Sequence, residues 1–302
     1  MNQLFKCVGI TKQAIHQYEK RQNIFDHKVA CLIQEVDALR RDHPGCGIEK
    51  MYFTLKPKLI GRDRFIDLFM QLGYRIQWVK NYKRTTYSSQ SIYMNLISGL
   101  LLHSPNQVWQ SDITYIKVNG IFYYAVFIID VYTKKIVGYH VSDSLRATAN
   151  VKALKMATKE NGWPFIHHSD KGSQYIYKPY IKLLNRNKVN ISMGNSALDN
   201  AYAERINSTI KNEYLKFWKP QTFKQLKAQV KRAVKNYNYK RNHDNLNRTT
   251  PVAFEKEVLN LPMHSRPTAM IYAEGRIKME RTLSPLPFYA QQNLQAQICP
   301  IT

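Results

Sequence analysis

Residues 167–175 read HHSDKGSQY, and the fold turns on where this stretch lies. An apolar run, Trp163 to Ile166, leads in, and a helix-compatible run, Ser173 to Asn185, leads out. Asp170 is therefore expected at a strand-to-helix junction, where a carboxylate can stand at a sheet edge. Neighbouring residues on a strand point to opposite faces, so His167 and His168 do not make a joint zinc site. His168 is expected beside Asp170 rather than as a ligand. Two other acids complete the pattern: Asp112 in VWQSDITYI and Glu204 in DNAYAERINSTIKNEY.

The flanking sequence predicts strands at Val108 to Val118, Ile121 to Tyr132 and Lys135 to Ser142. Asn119-Gly120 closes the first hairpin, since both positions tolerate positive φ. The second strand is almost wholly apolar and should be covered on both faces. A helix over Ala147 to Asn161, a strand over Phe165 to Ser169, a helix from Ser173, a strand over Val189 to Met193 and a long helix over Asp199 to Leu215 follow. This order gives an α/β fold, a mixed five-stranded sheet flanked by helices, which is the order of ribonuclease-H-like folds.

Upstream, the pattern is helical. A short helix with Leu4, Phe5, Val8 and Ile10 is interrupted at Gly9, and Thr11 can cap a new helix containing Ala14, Ile15 and Tyr18, a helix-turn-helix-like pair that an ordinary helical hairpin would also explain; His27 to Arg41 forms a further helix. HPGCG at 43–47 breaks the chain before helices at Ile48 to Leu55 and Arg62 to Leu72. This is a second helix-turn-helix candidate, with Arg62 and Arg64 placed to contact DNA. Residues 1–79 thus form a helical DNA-binding region and 80–104 a basic linker. Residues 105–260 form the core, ending in a basic helix over Thr222 to Asn242, and 261–302 a tail with a short strand at Met270 to Tyr272.

Lys and Arg number 45 against 21 Asp and Glu, a net charge of +24, which points to a polyanionic partner. The 20 tyrosines can stack on bases. Cys7, Cys31, Cys46 and Cys299 form no Cys-x-x-Cys pair, which argues against a zinc ribbon and for a reducing cytoplasm. No secretory leader or membrane span is expected.

Carboxylates converging from separate elements suit hard divalent cations such as Mg²⁺, with Mn²⁺ as a substitute, and such ions activate phosphodiester chemistry. Asp112, Asp170 and Glu204 are the candidate catalytic and metal residues. Each has a plainer explanation: Asp170 as a cap, Glu204 paired with Lys211 or Arg205, Asp130 and Asp199 as rival acids. Asp112 is the hardest to explain away, because an unpartnered carboxylate within an apolar strand is costly. Asn200, Asn207, Ser208 and Lys211 share a helical face with Glu204. Candidate DNA contacts are Arg62, Arg64, Lys171, Asn200, Ser208, Lys211 and Arg241.

PNQVWQSDITYI, HHSDKGSQY and DNAYAERINSTIKNEY together resemble the catalytic core of insertion-sequence transposases of the IS-three group, relatives of retroviral integrases. HPGCGIEKMYFTL resembles the start of that family's second helix-turn-helix. YNYKRNHDNLNRTTPVAF resembles its closing signature, here Tyr237, Asn238, Arg241, His243, Leu246, Thr250 and Pro251. The resemblance covers roughly residues 1–255. It implies a triad of Asp112, Asp170 and Glu204, Mg²⁺, cleavage at element ends and strand transfer into target DNA by a homo-oligomer on DNA. It also implies a second-reading-frame product that works with a first-frame partner or as a fusion. The loop before the Glu204 helix is shorter than is common in the family. A nuclease without joining activity and a non-catalytic DNA-binding regulator are the alternative functions. The charge excess predicts that duplex binding, read by fluorescence anisotropy, weakens steeply with added salt; binding indifferent to salt would contradict it.

Overall fold

A computed structural model describes residue 9 and residues 11–76, 93–194 and 197–271. Helix α1 (Lys12–Asp42) is one continuous element, capped by Thr11 Oγ1, which accepts from the Ala14 amide at 3.1 Å. The expected division between the Thr11 helix and a His27 helix is absent, because no Gly or Pro interrupts residues 12–42. The short helix expected before Gly9 and most of the basic linker lie outside the described residues. Helices α2 (Ile48–Leu55) and α3 (Arg62–Gln71) follow. Leu32 and Val36 of α1 pack with Met51, Phe65 and Phe69 in a small core of their own. Leu72, expected on the inner stripe of α3, is exposed.

The sheet is built on β1 (Val108–Val118). Asn119 and Gly120 close the hairpin at φ +48° and +85°, and β2 (Ile121–Asp130) and β3 (Ile136–Ser142) add antiparallel neighbours. On the other side β4 (Ile166–Ser169) and β5 (Asn190–Met193) pair in parallel, giving the order β3-β2-β1-β4-β5 of a ribonuclease-H-like sheet. Only the Ala125–Asp130 half of β2 is fully buried; Ile121 and Phe122 are exposed. The strand stops at Asp130, whose carboxylate accepts from Thr133 and from the Asn106 amide.

Helices α4 (Thr148–Asn161) and α5 (Lys178–Arg186) cover one face. Helix α5 starts five residues later than expected; a turn over 170–177 precedes it, and Pro179 stands in its first turn. The other face is covered by α6 (Ala201–Thr209), a π-helical segment (Ile210–Leu215) that continues it, and α7 (Phe223–Tyr239). Helix α8 (Pro251–Asn260), capped by Thr250, closes the end of the sheet. The end of the expected linker belongs to this core: Ile97 and Leu102 are fully buried, and Leu101–Leu102 pairs with Ala269–Met270.

The HPGCG turn meets the π-helical segment. His43 Nδ1 lies 2.9 Å from the Tyr214 hydroxyl, and the Gly45 amide donates to the Glu213 carbonyl at 2.9 Å. A Cβ on Gly45 would stand 2.5 Å from Glu213 Cα, so only glycine permits this approach. Asn236 donates to the Asp42 carbonyl, and Arg232 and Lys240 pair with the Asp42 carboxylate. Asn242 donates to Thr54 Oγ1, Lys50 pairs with Asp244 and Arg248 lies over Phe53, so the two family-like stretches at 43–55 and 237–251, far apart in sequence, are the two sides of one joint.

Gly138 of β3 lies under α4, where an added Cβ would stand 2.5 Å from the Ala153 carbonyl and 2.6 Å from Ala157 Cβ. Overpacking of this kind costs about 1–3 kcal/mol. Gly138→Ala should therefore lower the free energy of unfolding by that amount, read as a lower midpoint of chemical denaturation at unchanged slope; an unchanged midpoint would show that α4 is not seated this closely.

Candidate active site

Alternation along β1 sends Gln110 and Asp112 to the face covered by α6, and Trp109 and Ser111 to the opposite face. The parallel register of β1 and β4 runs through Ser111 and Ser169, so Asp112 and Asp170 are the next residues along adjacent strands. Asp170 does not cap a helix. Its Oδ1 accepts from the Gly172 amide at 3.1 Å, closing the turn on itself. A side chain on Gly172 would press on that oxygen. Beneath the turn, the fully buried Tyr175 hydroxyl lies 2.9 Å from Ser111 Oγ, tying the Asp170 loop to the strand that carries Asp112.

Glu204 is held over these acids by polar contacts between β1 and α6. The α6 N-terminus has no side-chain cap of its own. Gln110 supplies one from the strand: its Oε1 accepts from the Tyr202 and Ala203 amides at 3.1 and 3.3 Å, and its Nε2 donates to the Asp199 carbonyl at 2.8 Å. Asn200 Nδ2 donates to the Ser111 carbonyl at 3.0 Å. One turn further on, Asn207 Nδ2 donates to Asp112 Oδ2 at 2.7 Å, while Asp112 Oδ1 accepts from the Ile113 amide at 2.8 Å. The helix is thus gripped on both sides of Glu204.

Burial pushes Asp112 up to about 7, and the negative charges of Asp170 and Glu204 add to the rise against its two hydrogen bonds. Asp170 is raised by burial, and Glu204 by burial and then by Asp170. Lys211 is lowered by burial, with Asp112 acting the other way. Three acids raised by burial, two of them (Asp112 and Glu204) raised further by their acidic neighbours, form an all-oxygen donor set whose repulsion a divalent cation would relieve. Among the described residues no three His, Cys, Asp or Glu side chains are spaced to hold a single ion by themselves. Mg²⁺ commonly takes one or two carboxylates and completes its shell with water and substrate phosphate, so the donor set suits ions shared with a nucleic acid.

Other expected residues fall elsewhere. Arg62 is bonded to Asp63 at 2.8 Å, and Arg64 lies over Phe25, both on α3. Ser208 is exposed and accepts from Asn212; Lys171 follows Asp170 and is half-buried. Two expected DNA contacts are corrected. Asn200 is buried and its Nδ2 donates to the Ser111 carbonyl. Arg241 is buried in a two-bond pair with Glu213, 2.7 Å each, which holds the π-helical segment. Both side chains are turned away from the surface, where a DNA phosphate would approach. Asp130 anchors the turn after β2 and does not support the carboxylate site. The histidines do split across the sheet: His167 meets the Tyr180 hydroxyl, and His168 meets Ser192 Oγ. Gln110 and Tyr175 escaped the sequence reading, although Gln110 stands two residues before Asp112 and so shares its face.

The integrase core domain family matches residues 103–197 and, in a second form, residues 186–251. The chain is 31% identical over 207 residues to the uncharacterized 31 kDa protein of insertion element IS600 from Shigella sonnei, covering 66% of this chain and 76% of that one. It is 36% identical over 186 residues to the transposase for insertion sequence element IS629 from Shigella sonnei, covering 57% of this chain and 60% of that one. The catalytic core domain of HTLV-2 integrase, solved in complex with magnesium, overlays 50% of this chain and 97% of its own length at 19% identity and a TM-score of 0.44. The class of protein is one built on an integrase core. Within it, the chain belongs to the IS-three group of insertion-sequence transposases.

Gln110→Ala should leave the Tyr202 and Ala203 amides uncapped and cost about 1 kcal/mol, the usual value of a lost helix cap. Hydrogen exchange at those two amides should accelerate while that of β2 stays slow; unaltered exchange would remove Gln110 from this role. Asp112 takes up a proton on folding between its ordinary value and about 7, so its contribution to stability falls as pH rises through that window and levels off above it. Thermal melts in chelator should therefore show the Tm difference between Asp112→Asn and the wild type moving in the variant's favour from pH 5 to pH 8. A constant difference would contradict the raised value.

Proposed function

We propose that this chain cleaves DNA at the ends of its insertion sequence and joins them to target DNA, with Asp112, Asp170 and Glu204 holding Mg²⁺ or, in its place, Mn²⁺. The observation that carries this reading is the convergence of three carboxylates at one sheet edge, each raised by burial or by its neighbours, in a chain of charge +24. A bound divalent cation would activate the attacking oxygen and stabilise the leaving oxygen of the phosphodiester.

The remaining contributions belong to the chain. Asn207 orients the Asp112 carboxylate through its 2.7 Å hydrogen bond. Gln110 fixes the helix that carries Glu204, and Tyr175 with Ser111 fixes the loop that carries Asp170. Lys211, close enough to Asp112 to feel its charge, neutralises a phosphate approaching the acids. The α2–α3 pair, with Arg62 and Arg64 on α3, acts as a DNA-contacting helix-turn-helix. The chain works as a homo-oligomer on DNA, with a first-frame protein as partner or fusion, in a bacterial cytoplasm. Among the described residues no helix is long and apolar enough to cross a membrane.

Oligonucleotides carrying the element's ends, incubated with purified protein and Mg²⁺ or Mn²⁺, test the reading. Asp112→Asn, Asp170→Asn and Glu204→Gln should each lower cleavage and joining by at least ~10²-fold while duplex affinity stays within about threefold. Activity retained in all three would sink the assignment. Cleavage of unrelated DNA without joined product would favour a simple nuclease.

A further inference from the structure

Helix α5 carries Lys178, Lys182 and Arg186 at four-residue intervals, all exposed. With Tyr93, Ile176 and Ile181 they line one groove of about 700 Å³. The groove runs beside the β5 edge, because the segment after Tyr93 is bonded to that strand: the Leu96 amide donates to Ser192 Oγ, and the Met193 amide to the Met94 carbonyl. No Asp or Glu occurs anywhere between Asp170 and Asp199. Among the described residues, the ion pairs are made by other cations: Lys50, Arg62, Lys135, Arg232, Lys240 and Arg241. The α5 stripe is thus a row of cations with no acid of its own.

We propose that this groove is a phosphate track for duplex DNA, separate from the carboxylate site and resting on the reading of the chain as one that acts on DNA. Four helical residues advance about 6 Å, close to the roughly 6–7 Å between neighbouring phosphates of one strand, a step that combines the 3.4 Å axial rise with the turn about the duplex axis. Lys178, Lys182 and Arg186 can therefore meet phosphates of one strand in sequence, as a row rather than a cluster. Tyr93, Ile176 and Ile181 give the floor on which the lysine and arginine stems lie, leaving their charged heads outward. A second copy of the chain fits less well. Cations of a self-complementary interface must face acids, and this chain has 21 acidic residues against 45 basic ones.

The test uses the full chain in the Asp112→Asn background, so that binding is read without chemistry. Lys178→Gln, Lys182→Gln and Arg186→Gln are combined, and anisotropy with a labelled duplex is measured over a range of salt concentrations. Each lost phosphate contact lowers the slope of log affinity against log salt by about 0.9, so the slope should fall by roughly 2–3. A control set on the opposite face of the sheet, Lys224→Gln, Lys231→Gln and Lys235→Gln on α7, should change it by less than about 1. All six residues are exposed, and unchanged melting temperatures verify the fold. An unchanged slope for the α5 set overturns the proposal, as does an equal fall for both sets, which would mean diffuse attraction without a track. A shift in sedimentation with no change in slope also overturns it, assigning the groove to a second copy. Failure of the strand-transfer assay would leave these slopes interpretable, so the two readings fail separately.

Discussion

The contact on which the site depends is the polar grip of strand β1 on helix α6. Apolar packing brings α6 onto the sheet, but it does not fix the helix along its own axis. Hydrogen bonds do. Gln110 satisfies amides at the start of α6 that would otherwise lack partners, and Asn207 reaches back to Asp112 from the next turn. Both strand residues lie on one face because strand side chains alternate. The acid on the strand and the acid on the helix are therefore registered by the same two-residue spacing that shapes the sheet.

This arrangement reconciles two opposing electrostatic demands. The protein is strongly basic, yet its site gathers acids where burial raises their pKa. The basic surface attracts a polyanion over long range. The acids gathered within it repel phosphate unless cations intervene, so the carboxylates that raise one another's cost of ionisation would favour, on the proposed function, a site that holds metal.

Much of this was legible in the sequence. The order of the elements follows from hydrophobic periodicity, and the Asn119-Gly120 turn and the Thr11 cap follow from local chemistry. Asp112 stood out because it interrupts an apolar strand; Asp170 and Glu204 were singled out from rival acids by the ordered motifs around them. What was not legible depends on contacts distant in sequence. Arg241 looks like a surface cation until Glu213 is brought against it, and Asn200 looks like a polar contact until the Ser111 carbonyl is beside it. The π-helical stretch over Ile210–Leu215 has no local sequence mark; it is seen only where Gly45, Tyr214 and Arg241 converge. Alternation along β1 could have revealed Gln110, had the strand been read for helix-capping groups as well as for ligands.

The π-helical segment has an implication for how copies of such an element decay. It continues directly from the helix that bears Glu204 and ends in the joint with the HPGCG turn. A bulky residue at position 45, or loss of the Arg241 partner, would disturb that helix from its far end while leaving every acid intact. On the proposed assignment, an inventory of copies graded by their three carboxylates alone would pass some with a disturbed helix, and a census of intact copies should include the glycine and the arginine.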